Sequence, residues 1–161
     1  MFDLEKTALL VGAALKERKE TVAVAESSSG GLICAALLAV PGASSYFKGG
    51  GVVYTSQAKT LLVEVSAEEM QKKRAATEEH ALALARAARE RLGADWGIGE
   101  TGAAGPTGNR YGDAAGHCCI AVVGPCEKAR TLATNSPERA ANMQAFATAA
   151  IALLQECVGQ D

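Results

Sequence analysis

The stretch Thr21-Val22-Ala23-Val24-Ala25-Glu26-Ser27-Ser28-Ser29-Gly30-Gly31-Leu32-Ile33-Cys34-Ala35-Ala36-Leu37-Leu38-Ala39-Val40-Pro41-Gly42 decides the fold. Residues 21–25 read as a short buried strand, residues 27–31 as a Gly-rich turn, and residues 32–40 as an apolar helix that Pro41-Gly42 stops. Upstream, Leu4, Ala8, Leu9, Val11 and Leu15 recur at helical spacing behind Asp3, a suitable cap. Downstream, residues 51–55 predict a second strand and residues 57–62 a short helix. Thr77-Glu78-Glu79 opens a long Ala-rich helix that runs to Arg91, with basic residues near its end and Gly93 beyond, as the helix dipole favours. Residues 95–100 predict a strand and 101–116 a Gly-rich loop. Residues 118–123 and 129–133 predict a hairpin about Gly124-Pro125, and 137–157 a closing helix. The alternation predicts an α/β fold: a three-layer α/β/α sandwich with a mixed, mostly parallel sheet, the hairpin supplying the mixture.

A chain of 161 residues fits one domain and buries a core without staples. Its 48% hydrophobic and 21% charged residues are those of a globular protein, and with only 4% aromatics, Ala, Val and Leu fill the interior. A net charge of -2 without a Lys/Arg cluster argues against nucleic acid as a partner. Asp3, Glu5 and Lys6 interrupt the first ten residues, so no signal peptide is expected there. The apolar stretches 32–40 and 145–154 are too short for a bilayer, which leads to the expectation of a cytoplasmic protein with no membrane partner. Cys34, Cys118, Cys119, Cys126 and Cys157 contain no Cys-x-x-Cys pair and read as reduced thiols. On a strand His117 and Cys119 share a face that Cys118 does not, so these three read as buried small residues rather than a metal site.

Gly97-Ile98-Gly99-Glu100-Thr101-Gly102 matches the dinucleotide-binding pattern, but the glycines run into Ala103-Ala104-Gly105-Pro106-Thr107-Gly108 instead of opening a helix. Residues 27–31 have the right frame for an anion: amide groups and a helix's positive end after a strand. A plain Ser N-cap fits the same residues. Neither a nucleophile elbow nor a Walker loop is present. Ser44, Tyr54 and Lys59 carry nucleophilic chemistry if a base removes the hydroxyl proton. Neither His80 nor His117 lies in a segment that suggests that role. Lys59 serves if desolvation keeps it neutral, with a phenol as relay; a solvated helix lysine is the plainer reading.

Taken together, Ala25-Glu26-Ser27-Ser28-Ser29-Gly30-Gly31, Pro41-Gly42-Ala43-Ser44, residues 50–54 with Ala58-Lys59, and Thr101-Gly102-Ala103-Ala104-Gly105-Pro106 resemble the CinA C-terminal domain family along nearly the whole chain. Characterised members of that family are nicotinamide-nucleotide amidohydrolases. The resemblance implies hydrolysis of the carboxamide of nicotinamide mononucleotide to nicotinic acid mononucleotide and ammonia, without a cofactor or metal. It implies Ser27, Ser44, Tyr54 and Lys59 as catalytic residues, with a serine activated by Lys59 and the choice of serine open. It implies Ser29, Gly30, Gly31, Gly50, Thr101, Gly102, Gly105 and Arg139 as substrate-binding residues, and a homodimer. The chain departs from the family's pattern: Glu-Ser-Cys-Thr-Gly-Gly becomes Glu26-Ser27-Ser28-Ser29-Gly30-Gly31, Tyr-Ser-Asn becomes Tyr54-Thr55-Ser56, and a Gly becomes Asn109. Pro-Val-Gly-Thr becomes Ala114-Ala115-Gly116-His117, and an arginine expected near Asn142 is absent, with Arg139 one turn earlier. These changes leave two alternatives beside the nucleotide amidase: a non-catalytic nucleotide- or partner-binding domain, and a hydrolase of another small amide.

Overall fold

The computed structural model describes residues 3–159; Met1, Phe2, Gln160 and Asp161, the ends of the expected domain, lie outside the described residues. Asp3 caps α1 (Leu4–Arg18) by accepting from the Glu5 amide at 3.0 Å. There follow β1 (Val22–Glu26), α2 (Leu32–Leu38), a single 3-10 turn (Ala43–Ser45), β2 (Phe47–Val52), α3 (Ser56–Val63), α4 (Ala67–Lys72), α5 (Glu78–Leu92), β3 (Trp96–Gly102), β4 (His117–Val123), β5 (Lys128–Ala133) and α6 (Arg139–Val158). The strands form one sheet in the order β2-β1-β3-β4-β5. β1 pairs in parallel with β2 and β3, whereas β3–β4 and β4–β5 are antiparallel, so only β4 runs against the rest.

Alternation along the strands sorts the core into two layers. Val22, Val24, Trp96, Ile98, Ile120 and Val122 face Val11, Leu15, Ile33, Leu37, Phe146 and Ile151, from α1, α2 and α6. On the other face Ala23 and Ala25 meet Val63 of α3 and Leu84 and Ala88 of α5, and Cys119, Ala121 and Val123 meet Ala81 and Ala85. This is the three-layer sandwich expected from the alternating pattern.

Gly97 and Gly99 have a structural role that their spacing disguises. Both lie inside β3, where α5 crosses; a Cβ on Gly97 would stand 2.1 Å from the Ala85 carbonyl oxygen, and one on Gly99 2.0 Å from that of Ala81. The pair lets helix backbone approach sheet backbone, and no phosphate loop is formed.

Differences from the sequence reading have local causes. β2 occupies 47–52 rather than 51–55, because pairing with β1 imposes strand geometry on Gly49-Gly50-Gly51, residues with little β-propensity of their own. α4 had no counterpart in the sequence reading, although Ser66 caps it through the Glu69 amide at 3.1 Å, an N-terminal signal that Ser66-Ala67-Glu68-Glu69 carries openly. β3 runs on through Gly102, α2 stops at Leu38, and α6 begins at Arg139.

The glycine pair yields a direct test by urea denaturation. Gly99→Ala is expected to cost more than about 2 kcal/mol, since the added methyl meets backbone that cannot move aside. Gly93→Ala, at φ 62° with open space around it, is expected to cost only about 1–2 kcal/mol from left-handed strain. Equal costs would contradict the packing account.

Candidate active site

β1 ends on Glu26 and β3 carries Glu100 near its end, and both side chains are wholly buried. A buried carboxylate is tolerable only when donors surround it. Glu26 accepts hydrogen bonds from the amides of Gly31 (2.8 Å), Ile33 (3.2 Å) and Cys34 (2.9 Å), and from Ser29 Oγ (2.6 Å). It thereby satisfies the start of α2, whose N-cap, Gly31, has no side chain to do so. Glu100 accepts from the amides of Ser27 and Ser29, each at 2.9 Å, and from Ser28 Oγ, and its Oε2 lies 2.7 Å from Ser29 Oγ, whose single proton the two carboxyls share. The Cys118 thiol donates to it at 3.5 Å. The turn at 27–31 therefore does cradle anions, but they are the protein's own two carboxylates.

Beside this turn Lys59, from α3, is only 4% exposed. Burial holds its amine below the ordinary lysine range, and the Glu100 charge opposes that shift without overcoming it. Lys59 lies in the wall of a cleft of about 380 Å³ with Ser56, Met70, Arg74, His80, Arg110 and Tyr111. His80, in the first turn of α5, is 2% exposed. Its Nδ1 lies 2.7 Å from the Lys73 carbonyl oxygen, which only accepts, so Nδ1 carries the proton and Nε2 is a bare lone pair. That Nε2 is buried without a partner. Burial and the Lys59 charge push the imidazole down to about 4.

The cleft's outer wall is a loop organised by Asn109, one of the departures from the family pattern. Its Oδ1 accepts from the Tyr111 amide at 3.0 Å and the Asp113 amide at 3.1 Å, and its Nδ2 donates to Asp113 Oδ2 at 2.8 Å. Asp113 pairs with Arg74 at 2.9 Å, and this guanidinium, with Asn109, holds the carboxyl below its usual range. The guanidinium carbons of Arg74 and Arg110 lie over the Tyr111 ring, 4.8 and 4.9 Å from its centre. His117 Nε2 donates to the Ala76 carbonyl at 2.8 Å, and Cys119 lies on its side of β4, as alternation requires.

The remaining expected site residues are distributed unequally. Tyr54 is exposed at the end of β2; its hydroxyl accepts from Arg139 at 3.3 Å, and the same guanidinium donates to the Gly105 carbonyl. Thr101 Oγ1 accepts from the Ala76 amide at 3.0 Å. Gly102 has no room for a Cβ, which would stand 2.6 Å from the His117 carbonyl oxygen. Gly30 and Gly31 take φ of 66° and 99°, which the turn requires. Gly50 lies within β2, backed by Cys34 Sγ and Val24. Ser44 is exposed in the 3-10 turn that precedes β2, whereas Lys59 follows its far end. At about 3.3 Å per residue the strand separates them by roughly 20 Å. In one chain, then, the C-terminal strand ends gather Ser27, Ser29, Tyr54, Lys59, Thr101, Gly105 and Arg139, and leave Ser44 at the opposite end.

Glu26, Glu100, Ser28, His80 and Asn142 are the residues that sequence reasoning did not place in the site. A carboxylate closing an otherwise apolar or glycine-rich strand was a usable signal for the first two. Asn142 stands where the family's arginine was expected; it is 1% exposed and donates to the carbonyls of Ala104 and Ser136, both at 2.8 Å, so it is a clamp on the loop after β3.

The His80 environment predicts an acid-sensitive stability. The unfolded chain binds a proton on this imidazole near pH 6.5 and the folded chain not until about pH 4, so stability is lost as pH falls across that window, by up to about 3 kcal/mol. Chemical denaturation of wild type and His80→Gln between pH 7 and pH 4 should show the variant losing less. Parallel curves would contradict the buried neutral imidazole.

The CinA C-terminal domain family model matches residues 4–158. A CinA-like protein of Synechocystis sp. is 44% identical over 123 residues, 76% of this chain and 30% of its own length; one from Prochlorococcus marinus is 43% identical, over 76% of this chain and 29% of its own. The chain thus spans under a third of the curated relatives it matches. Among solved structures, a competence-damaged protein (CinA) superfamily protein from Klebsiella pneumoniae aligns with a TM-score of 0.91 at 25% identity, covering 98% of both chains. A competence/damage inducible protein CihA from Agrobacterium tumefaciens aligns at 0.91 with 26% identity, covering 99% of this chain and 98% of that one. With the fold, the Ser-Gly turn and the family match all in agreement, the chain belongs to the CinA C-terminal domain family.

Proposed function

We propose that this chain is an amidohydrolase that cleaves the carboxamide of nicotinamide mononucleotide, taking up water and releasing nicotinic acid mononucleotide and ammonia. The observation that carries the reading is Lys59: an amine buried in a cleft wall, shifted toward its neutral form, at the strand ends that also present the serine turn. A neutral amine removes a proton from a hydroxyl that a solvated ammonium cannot touch. The serine oxygen then attacks the amide carbon, ammonia departs with the transferred proton, and water releases the acid from the acyl-enzyme. Serines 27 and 28 lie at Lys59's end of the sheet and Ser44 does not, which supports the turn as the source of the nucleophile. Glu100, which holds Ser28 Oγ and whose charge acts on Lys59, links the two parts.

One observation favours a hydrolase of another small amide as second reading. The turn amides are engaged by Glu26 and Glu100, so a substrate phosphate depends on Arg110 or Arg139 instead.

Ammonia release from nicotinamide mononucleotide tests the proposal. Lys59→Ala and one of Ser27→Ala or Ser28→Ala are each expected to lower kcat/KM by more than about 100-fold, the range lost with a general base or nucleophile. Ser44→Ala should stay within about threefold of wild type, as substitutions outside the reacting groups do. Nucleotide binding without ammonia from the folded wild type would select the non-catalytic alternative; ammonia only from other amides would select the second reading.

A further inference from the structure

The mechanism above uses Lys59 but leaves His80 unexplained, although it is the described residue with a buried side-chain nitrogen lacking any partner. Burying an acceptor without a donor is costly, and such a group is retained where something supplies the donor. Its geometry restricts what that can be. The Lys73 carbonyl fixes the proton on Nδ1, so Nε2 accepts and cannot donate. Lys59, beside it in the same cleft wall, carries the opposite capacity, because an amine or ammonium donates. Lys59 and His80 thus put a donor and an acceptor, both nearly dry, into the lining of one cleft, a combination that few groups complement in full.

We propose that Lys59 and His80 together recognise a primary carboxamide, Lys59 donating to the amide oxygen and His80 Nε2 accepting from the amide NH₂. The inference rests on the amidohydrolase reading and adds its specificity element. The acid product offers two acceptor oxygens and no N–H, so one oxygen would face the His80 lone pair, and the pair rejects the product as it forms. Selection by a buried acceptor left unpaired is stronger than selection by shape. The cleft, at about 380 Å³, lies within the size range of small-molecule sites. α4, which supplies Met70 to its wall, buries none of its six residues, so it is the side that yields when a ligand reaches the floor.

Benzamide and benzoate, equal in shape and differing in the NH₂ group, test the pair by NMR at pH 7.5. In wild type the ¹⁵N resonance of His80 Nε2 is expected to move saturably with benzamide and to stay in place with benzoate. His80→Leu is expected to weaken benzamide binding about tenfold without weakening benzoate, which no longer faces the imidazole lone pair. His80→Gln, whose carbonyl accepts the same N–H, should retain most of the affinity, which a merely structural role for the ring would not produce. A resonance that moves equally with both ligands, or with neither, overturns the proposal, and so does equal weakening of both ligands by His80→Leu. Ammonia release with an unresponsive His80 would reject this inference and leave the amidohydrolase standing. A responsive His80 without ammonia from any amide would leave the carboxamide site standing and reject the hydrolysis.

Discussion

Two carboxylates buried at the ends of neighbouring strands are the constraint on which this molecule depends. Glu26 and Glu100 have no access to water, so each must collect donors from the protein, and together they take five backbone amides and the hydroxyls of Ser28 and Ser29. A hydrogen bond to a charged group contributes about 1.5–3 kcal/mol, so losing several would consume much of a domain's net stability of about 5–15 kcal/mol. The bonds also set geometry. Glu26 ties β1 to the start of α2, and Glu100 ties the turn after β1 to β3, so the positions of three elements follow from two side chains.

That arrangement moves the chemistry away from the turn that first attracts notice. A Ser-Gly turn opening a helix has every attribute of an anion site, and here it is filled from within. What remains open at the same strand ends is the cleft of Lys59 and His80, lined also by Arg74, Arg110 and Tyr111, whose ring both guanidinium groups overlie. Asn109, a departure from the family pattern, thus orders the loop whose Arg110 and Tyr111 form part of the cleft wall. Lys59 and His80 are each held toward the neutral state by burial, and the lysine's charge reinforces this for the histidine.

The layered architecture was legible because apolar periodicity, caps and turns act within a few residues. Asp3, Thr77 and Gly93 stand at the helix ends where the local sequence puts them. β2 was misplaced because its glycines become strand only through pairing with β1, an interaction remote in sequence. The site divided along the same line. Lys59 and the turn serines could be named through the family resemblance, although local sequence alone favours a solvated lysine, whereas the Glu100 bonds to Ser27, Ser28 and Ser29 span more than seventy residues. The separation of Ser44 from Lys59 likewise follows from the direction of β2, which composition does not encode. His80 was passed over because its segment is an ordinary helix start, and its meaning comes from Lys73 and Lys59 folding against it.

A crystal structure of the chain with nicotinamide mononucleotide bound tests the central claim most directly. The account predicts the carboxamide against Lys59 and His80, with the amides of residues 27–34 still directed at Glu26 and Glu100. A phosphate seated on those amides with the carboxylates displaced would contradict it.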